Sequence, residues 1–260
     1  MTLLQKPALP PLPARAARDT VVVDGVSAGY GTGAPALEGL SFTVRAGERV
    51  GVLGPNGGGK TTLFRLLLGE LAPRTGTVDC PRCAVVPQTE RSRLDFPVSA
   101  LDVATMGAVG TLPWWRRPGR ADRARARAAL ERVDLGKLAD ATFGALSGGQ
   151  RQRVLVARAL VQDASVMLLD EPFTGLDAAS AERLEALLAD LAGEGRALLV
   201  ATHDVEQAGR WDRVLGLNRR QVAFGAPGEV LTRPVLEATY GGAVVSLGGD
   251  QAVLPPHHHC

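Results

Sequence analysis

Three stretches of this 260-residue chain place reactive side chains at the ends of apolar runs. The first is Gly54-Pro55-Asn56-Gly57-Gly58-Gly59-Lys60-Thr61-Thr62, which has the phosphate-binding spacing G-x-x-x-x-G-K-[ST]. Its glycines let the backbone wrap a phosphate chain with N–H groups pointing inward, and a helix N-terminus adds partial positive charge. Lys60 is expected to reach the β- and γ-phosphates of a nucleotide such as ATP, and the Thr61 hydroxyl to ligate Mg²⁺. The second is Val166-Met-Leu-Leu-Asp170-Glu171. Successive strand residues face opposite sides, but at the C-terminal end of a strand both carboxylates can reach the crevice where an α/β sheet binds ligand. Asp170 would hold Mg²⁺ through water, and Glu171 would polarise an attacking water. The third is Thr202-His203-Asp204, where the His203 imidazole could donate to the γ-phosphate and align that water.

These residues need a scaffold, and the patterning supplies one. Val50 to Leu53 reads as the strand feeding the glycine loop, and Leu63 to Leu68 as the helix leaving it. Val166 to Leu169 and Leu198 to Ala201 are short apolar strands that alternate with helical segments, the pattern of a buried parallel sheet covered by helices. Val21 to Val23, Leu40 to Val44 and Val50 to Leu53 are separated by glycine turns and suggest an N-terminal β region. Ala126, Ala129, Leu130 and Val133 follow the helical i, i+3, i+4, i+7 spacing, with Arg125, Arg127 and Arg132 expected on the outer face. Residues 1–18 read as a Pro/Arg-rich extension and 19–228 as one domain. Residues 229–260 read as a tail of unassigned role, ending Pro-Pro-His-His-His-Cys.

Composition narrows the functional classes. With 45% hydrophobic residues a core can form, so intrinsic disorder is excluded as the main description. No uncharged stretch approaches the roughly 20 residues of a spanning helix, and residues 1–19 lack the apolar run of a secretory signal. A cytoplasmic protein is the expectation. Twenty-nine basic and 27 acidic residues nearly balance and only 4% are aromatic, which gives no case for a nucleic-acid partner. Only Lys6, Lys60 and Lys137 are lysines; the remaining basic residues are arginine.

What separates subclasses of phosphate-loop protein is Leu146-Ser147-Gly148-Gly149-Gln150, followed by Arg151 and a helix with Val154, Ala157 and Val161 on one face. By itself it is also a plain polar helix cap. With the other motifs in the same order, the chain resembles the ATP-binding subunit of an ABC transporter from about Val21 to Gly228. The resemblance implies an α/β fold: a P-loop NTPase core with a parallel sheet, an N-terminal antiparallel β subdomain, and an inserted α-helical subdomain over about 90–165. It implies that Tyr30 stacks on adenine, that Gln88 contacts Mg²⁺ and senses a membrane partner, and that Gly175-Leu176-Asp177 is the D-loop. It also implies a head-to-tail dimer in which Ser147, Gly148, Gly149 and Gln150 bind the γ-phosphate held by the other copy's Lys60. Integral membrane permease subunits, and indirectly an extracytoplasmic solute-binding protein, would complete the system at the cytoplasmic face of the membrane. The departures are small: Gly58 stands where Ala or Ser is usual, which should loosen the loop slightly, and Thr61 replaces the more frequent Ser.

Leu94-Asp-Phe-Pro-Val98, Asp102-Val-Ala-Thr-Met-Gly107 and Leu112-Pro-Trp-Trp-Arg-Arg-Pro118 resemble the helical-subdomain entry of zinc and manganese importers' ATPases, and Phe173 suits that subgroup. Trp114 and Trp115 are candidates for docking a membrane subunit, with local packing as the alternative. An importer of ferric siderophores, haem or cobalamin would share every catalytic motif. A soluble ABC-type ATPase is a further alternative, opposed by the single phosphate loop and the absence of a long coiled coil. An ordinary P-loop kinase or GTPase is opposed by Leu146 to Gln150. Cys80-Pro-Arg-Cys83 offers two thiols where a closed zinc site wants four ligands, so it reads as a reduced turn, and His257, His258, His259 and Cys260 as a tag remnant.

Overall fold

The computed structural model describes residues 19–88, 97–241, 244–247 and 250–253. The Pro/Arg-rich extension, Leu94 to Phe96 of the importer-like motif and the His257–Cys260 tract lie outside the described residues.

The β-branched run at the start forms strands β1 (Asp19–Ala28) and β2 (Leu37–Arg45), paired antiparallel with Val23 opposite Phe42. Strand β3 (Arg49–Leu53) follows, then helix α1 (Lys60–Leu67), β4 (Thr75–Asp79) and β5 (Cys83–Val86). The helical insertion comprises α2 (Ala100–Thr105), α3 (Arg120–Arg132) and α4 (Gly148–Val161). Alternation then resumes with β6 (Val166–Asp170), α5 (Ala178–Gly193), β7 (Ala197–Thr202) and α6 (Val205–Ala208). After these come the hairpin β8 (Arg213–Asn218) and β9 (Arg220–Gly225), and the short helices α7 (Pro227–Val230) and α8 (Arg233–Tyr240). A separate two-stranded ribbon pairs β10 (Val244–Leu247) with β11 (Asp250–Val253).

Among the described residues nine strands share one sheet in the order β4-β1-β2-β9-β8-β3-β7-β6-β5. Strands β8, β3, β7, β6 and β5 run parallel, while β1, β2 and β4 form an antiparallel group. Val50 to Leu53, grouped with the N-terminal β runs by composition, belongs instead to the parallel part, between β8 and β7. The antiparallel group is joined to it through the β8–β9 hairpin, where Glu38 pairs with Arg220. Strands β4 and β5 stand at opposite ends of this order, yet only residues 80–82 separate them. The sheet must therefore curl until its two ends meet.

The period-2 alternation of the buried strands sorts residues onto two faces. On one face Val166, Leu168, Leu199 and Ala201 pack with Leu63, Phe64, Leu66 and Leu67 of α1 and with Val21, Leu37 and Leu40. On the other, Met167, Leu169, Leu198 and Val200 pack with Val154, Leu155 and Ala157 of α4 and Leu184, Leu188 and Leu191 of α5. Helix α1 thus lies inside the curled sheet. This places the phosphate-loop helix in the most enclosed part of the molecule.

Two expectations change. Arg132 is buried and pairs with Glu194, the C-cap of α5, so the last residue of α3 meets the end of that helix. The folded unit also continues past Gly228. Helix α8 has Pro234 in its first turn, ends at Gly241 with φ 67°, and buries Leu236, Thr239 and Tyr240. That apolar contact is what holds the segment to the domain.

Candidate active site

A cleft of about 540 Å³ opens at the C-terminal ends of β3 and β6. It is lined by the loop residues Pro55, Asn56, Gly57, Gly59, Lys60, Thr61 and Thr62, together with Gln88, Asp170 and Glu171. The sequence-expected loop, carboxylates and glutamine therefore converge. Two lining residues, Ala36 and Arg219, were not foreseen.

The loop is held tightly. Gly59 is the N-cap of α1 at φ 102°, and no side chain caps the helix, so its first backbone donors are left for the cleft. Lys60 is nearly buried, and its Nζ donates to the carbonyls of Gly54 at 2.6 Å and Pro55 at 3.3 Å. Burial lowers its pKa, while the charges of Glu171 and Asp170 act in the opposite direction. The Gly58 N–H donates to Pro55 O at 3.0 Å, and the Gly58 carbonyl accepts from the Arg219 N–H at 2.8 Å. A methyl group at Gly58 would meet Pro55 O at 2.9 Å. Gly58 thus fits a tightly folded loop, and the expected loosening is not what its contacts describe.

Glu171 reaches the cleft through a backbone bend. Its φ is +46°, a left-handed conformation uncommon outside glycine, and its N–H donates to Ala201 O at 3.0 Å. The bend lets the adjacent Asp170 and Glu171 line the same cleft. His203 Nδ1 lies 3.5 Å from Glu171 Oε2, and Thr174 Oγ1 donates to the same oxygen at 3.2 Å. His203 and Thr174 thus bracket the carboxylate although neither lines the cleft. Burial pushes the Tyr240 phenol up to about 12, against the lowering effect of the Gly54 backbone, with the charges of Glu171 and Asp204 adding to the rise.

Other expected site residues stand elsewhere. Ser147, Gly148, Gly149 and Gln150 start α4 outside the cleft. Ser147 is exposed, its Oγ accepts from the Gln150 N–H at 3.3 Å, and Gln150 Oε1 accepts from the Ser147 N–H at 2.9 Å. Asp177 caps α5, accepting from the Ser180 N–H and hydroxyl at 2.9 and 2.8 Å, bonds that hold its pKa below the usual carboxylate value. The Tyr30 ring is 51% exposed, with the Arg65 guanidinium 5.8 Å from its centroid. Arg219 could not be found by spacing, since its place depends on the β8–β9 turn, where it adopts φ +57°. Among the described residues no helix is long and apolar enough to cross a membrane.

The chain matches the ABC transporter family model over residues 37–174. It is similar to the zinc transport system ATP-binding protein TroB of Treponema pallidum, with 41% identity over 82% of this chain and 84% of the relative. It is similar to the manganese transport system ATP-binding protein MntB of Bacillus subtilis, with 39% identity over 87% of this chain and 94% of the relative. Among solved structures, a metal-chelate type ABC transporter in an inward-facing conformation superposes with a TM-score of 0.79 and 30% identity, covering 90% of this chain and 96% of that one. A phosphate loop, a polar-capped α4 and two cleft carboxylates, met in this order on this fold, identify the chain, with these comparisons, as a member of the ABC transporter family and as its ATP-hydrolysing component.

Proposed function

We propose that this chain powers the import of a divalent metal ion, zinc or manganese, through a separate membrane permease. The observation that carries the reading is the division of the site. Phosphate loop, Gln88, Asp170 and Glu171 share one cleft, while Ser147 to Gln150 lie outside it with the capping Ser147 exposed. A second copy arranged head to tail supplies that missing element to the γ-phosphate, with Asp177 nearby at the start of α5. Lys60 and the backbone N–H groups of Gly57 to Thr62 hold the phosphates, with Gly54, Pro55 and Asn56 shaping the turn. Tyr30 stacks on the adenine once the Arg65 side chain gives way.

The donor set of the cleft suits Mg²⁺: the Thr61 hydroxyl, the Gln88 amide oxygen and the Asp170 carboxylate are hard oxygen ligands among its lining residues. Bound there, the ion neutralises phosphate charge. Glu171 accepts a proton from the attacking water as its oxygen bonds to the γ-phosphorus and the bond to the bridging oxygen breaks, leaving ADP. His203 keeps the carboxylate aimed and donates toward the departing phosphate. Loss of the γ-phosphate removes the contacts that favoured the closed dimer, so hydrolysis resets it.

The protein works at the cytoplasmic face of the membrane, held by permease subunits that an extracytoplasmic solute-binding protein serves. Met106, Val109, Trp114 and Trp115 are exposed on one segment of the helical insertion, the two tryptophans by 92% and 71%, and supply an apolar dock for the permease. The zinc and manganese relatives support the choice of cargo.

The test is ATPase rate against protein concentration. The specific rate should rise steeply with concentration and saturate as dimers form. Full activity in protein shown by light scattering to be monomeric would reject the divided site.

A further inference from the structure

By sequence Cys80 and Cys83 read as a reduced turn. The structure gives them a definite place: Cys80 follows β4, Cys83 opens β5, and the turn between them is the seam where the two ends of the curled sheet meet. Their sulfurs are 3.2 Å apart, and both side chains are half-buried. Cys83 Sγ also lies 3.6 Å from Leu67 O, at the C-terminal end of α1, and 3.4 Å from Pro81 O. From Cys83, β5 runs to Val86, two residues short of Gln88. Among the described residues no third His, Cys, Asp or Glu joins the pair as a metal-binding group.

The two thiols are also unequal. Either sulfur can donate across the 3.2 Å contact, but the carbonyl oxygens of Leu67 and Pro81 face Cys83 Sγ and disfavour a thiolate there, which leaves Cys80 as the thiolate. This is the division of labour between an attacking and a resolving thiol.

We propose that Cys80 and Cys83 form a redox-active dithiol that closes to an intrachain disulfide by exchange with a low-molecular-weight disulfide. The Cys80 thiolate attacks one sulfur of that disulfide, making a mixed disulfide and expelling one small thiolate. The Cys83 thiol gives up its proton and attacks Cys80 Sγ, expelling the second small thiolate. The chain loses two electrons and two protons, and the small disulfide gains both as two thiols. Closure draws the sulfurs from 3.2 Å to the bonding distance of about 2.05 Å. The sulfurs come about 1 Å nearer, and the part of that shift taken up by the backbone passes from Cys83 along β5 toward Gln88.

The test uses the full chain carrying Cys260→Ser, titrated with mixtures of reduced and oxidised glutathione. Peptide mapping should find a Cys80–Cys83 link that dithiothreitol reverses. Cys83→Ser should accumulate a stable glutathione adduct on Cys80, whereas Cys80→Ser should leave Cys83 unmodified. Protein verified as fully linked should release phosphate from ATP at least twofold more slowly than the reduced form. Absence of the link at every glutathione ratio would overturn the proposal, as would equal reactivity of the two single variants. An unchanged rate in fully linked protein would overturn the coupling to β5. Zn²⁺ retained by the reduced chain and shielding both cysteines from glutathione would show a metal site instead.

Discussion

Gly59→Ala tests how the phosphate loop is built into the sheet. Gly59 has φ 102°, and a methyl group there would stand 2.5 Å from Leu37 Cδ2 and 3.4 Å from Ala36 O. Leu37 is fully buried at the start of β2, so it has little room to retreat. Gly57 is the natural control, because its φ is 77° but a methyl group would meet nothing within 4 Å. Gly57→Ala should therefore cost only the backbone share, about 1–2 kcal/mol. Gly59→Ala adds overpacking of about 1–3 kcal/mol, for a total of about 2–5 kcal/mol. That is a large part of a typical stability of about 5–15 kcal/mol. Leu37→Ala alone should cost about 2–5 kcal/mol for its cavity, yet it removes the colliding methyl. In that background Gly59→Ala should fall back to the backbone share, a favourable coupling of about 1–3 kcal/mol. Urea unfolding followed by circular dichroism of the wild type and the four variants reads each quantity from the shift in midpoint. Equal midpoints for Gly57→Ala and Gly59→Ala, or strict additivity with Leu37→Ala, would refute the packing argument.

Glu171→Gln should retain ATP, lose turnover by about 10²-fold or more, and trap a dimer on size-exclusion chromatography; wild-type turnover would remove Glu171 from the mechanism. Lys60→Ala should abolish nucleotide binding or phosphate release. Arg219→Ala should raise KM for ATP by about tenfold or more with kcat little changed, as expected for a cationic residue lining the cleft that binds ground and transition states alike. Asp102 accepts from the Ser99 hydroxyl and backbone N–H and pairs with Arg123, and the Ser99 hydroxyl bond leads the effects that hold its carboxyl below the usual value. Its stabilising effect is present above the unfolded pKa of about 3.9 and is lost as pH falls through the lower folded value. The melting-temperature gap between wild type and Asp102→Ala should therefore be full at neutral pH and close in acid.

The chemistry was legible because each motif is local. Glycine spacing, a strand ending in carboxylates and a serine cap obey rules that act over fewer than ten residues, and Lys60, Thr61, Asp170 and Glu171 do share a cleft, which Gln88, expected only from the family resemblance, also lines. What escaped depended on distant partners. Arg132 read as an outer-face charge because Glu194 lies 62 residues away. Arg219 enters the cleft through a hairpin whose register with Glu38 no pattern announces. Helix α8 begins beside a proline and runs into glycine, so its buried Leu236 and Tyr240 look like part of a tail until β8 is laid beside them. The left-handed turn at Glu171 is equally silent, since nothing in its side chain favours φ +46°.

The position of β3 also fixes the sequence of assembly. Both neighbours of this strand, β7 and β8, come from the distal half of the chain, with Val50 beside Leu199 on one side and Arg213 on the other. During synthesis the phosphate loop is therefore exported from the ribosome well before the strands that rigidify it. Closing loops of that length makes such topologies slow to fold. A nascent chain halted short of Ala197 has the full glycine motif but lacks the walls that give it shape, so nucleotide competence is acquired late in translation.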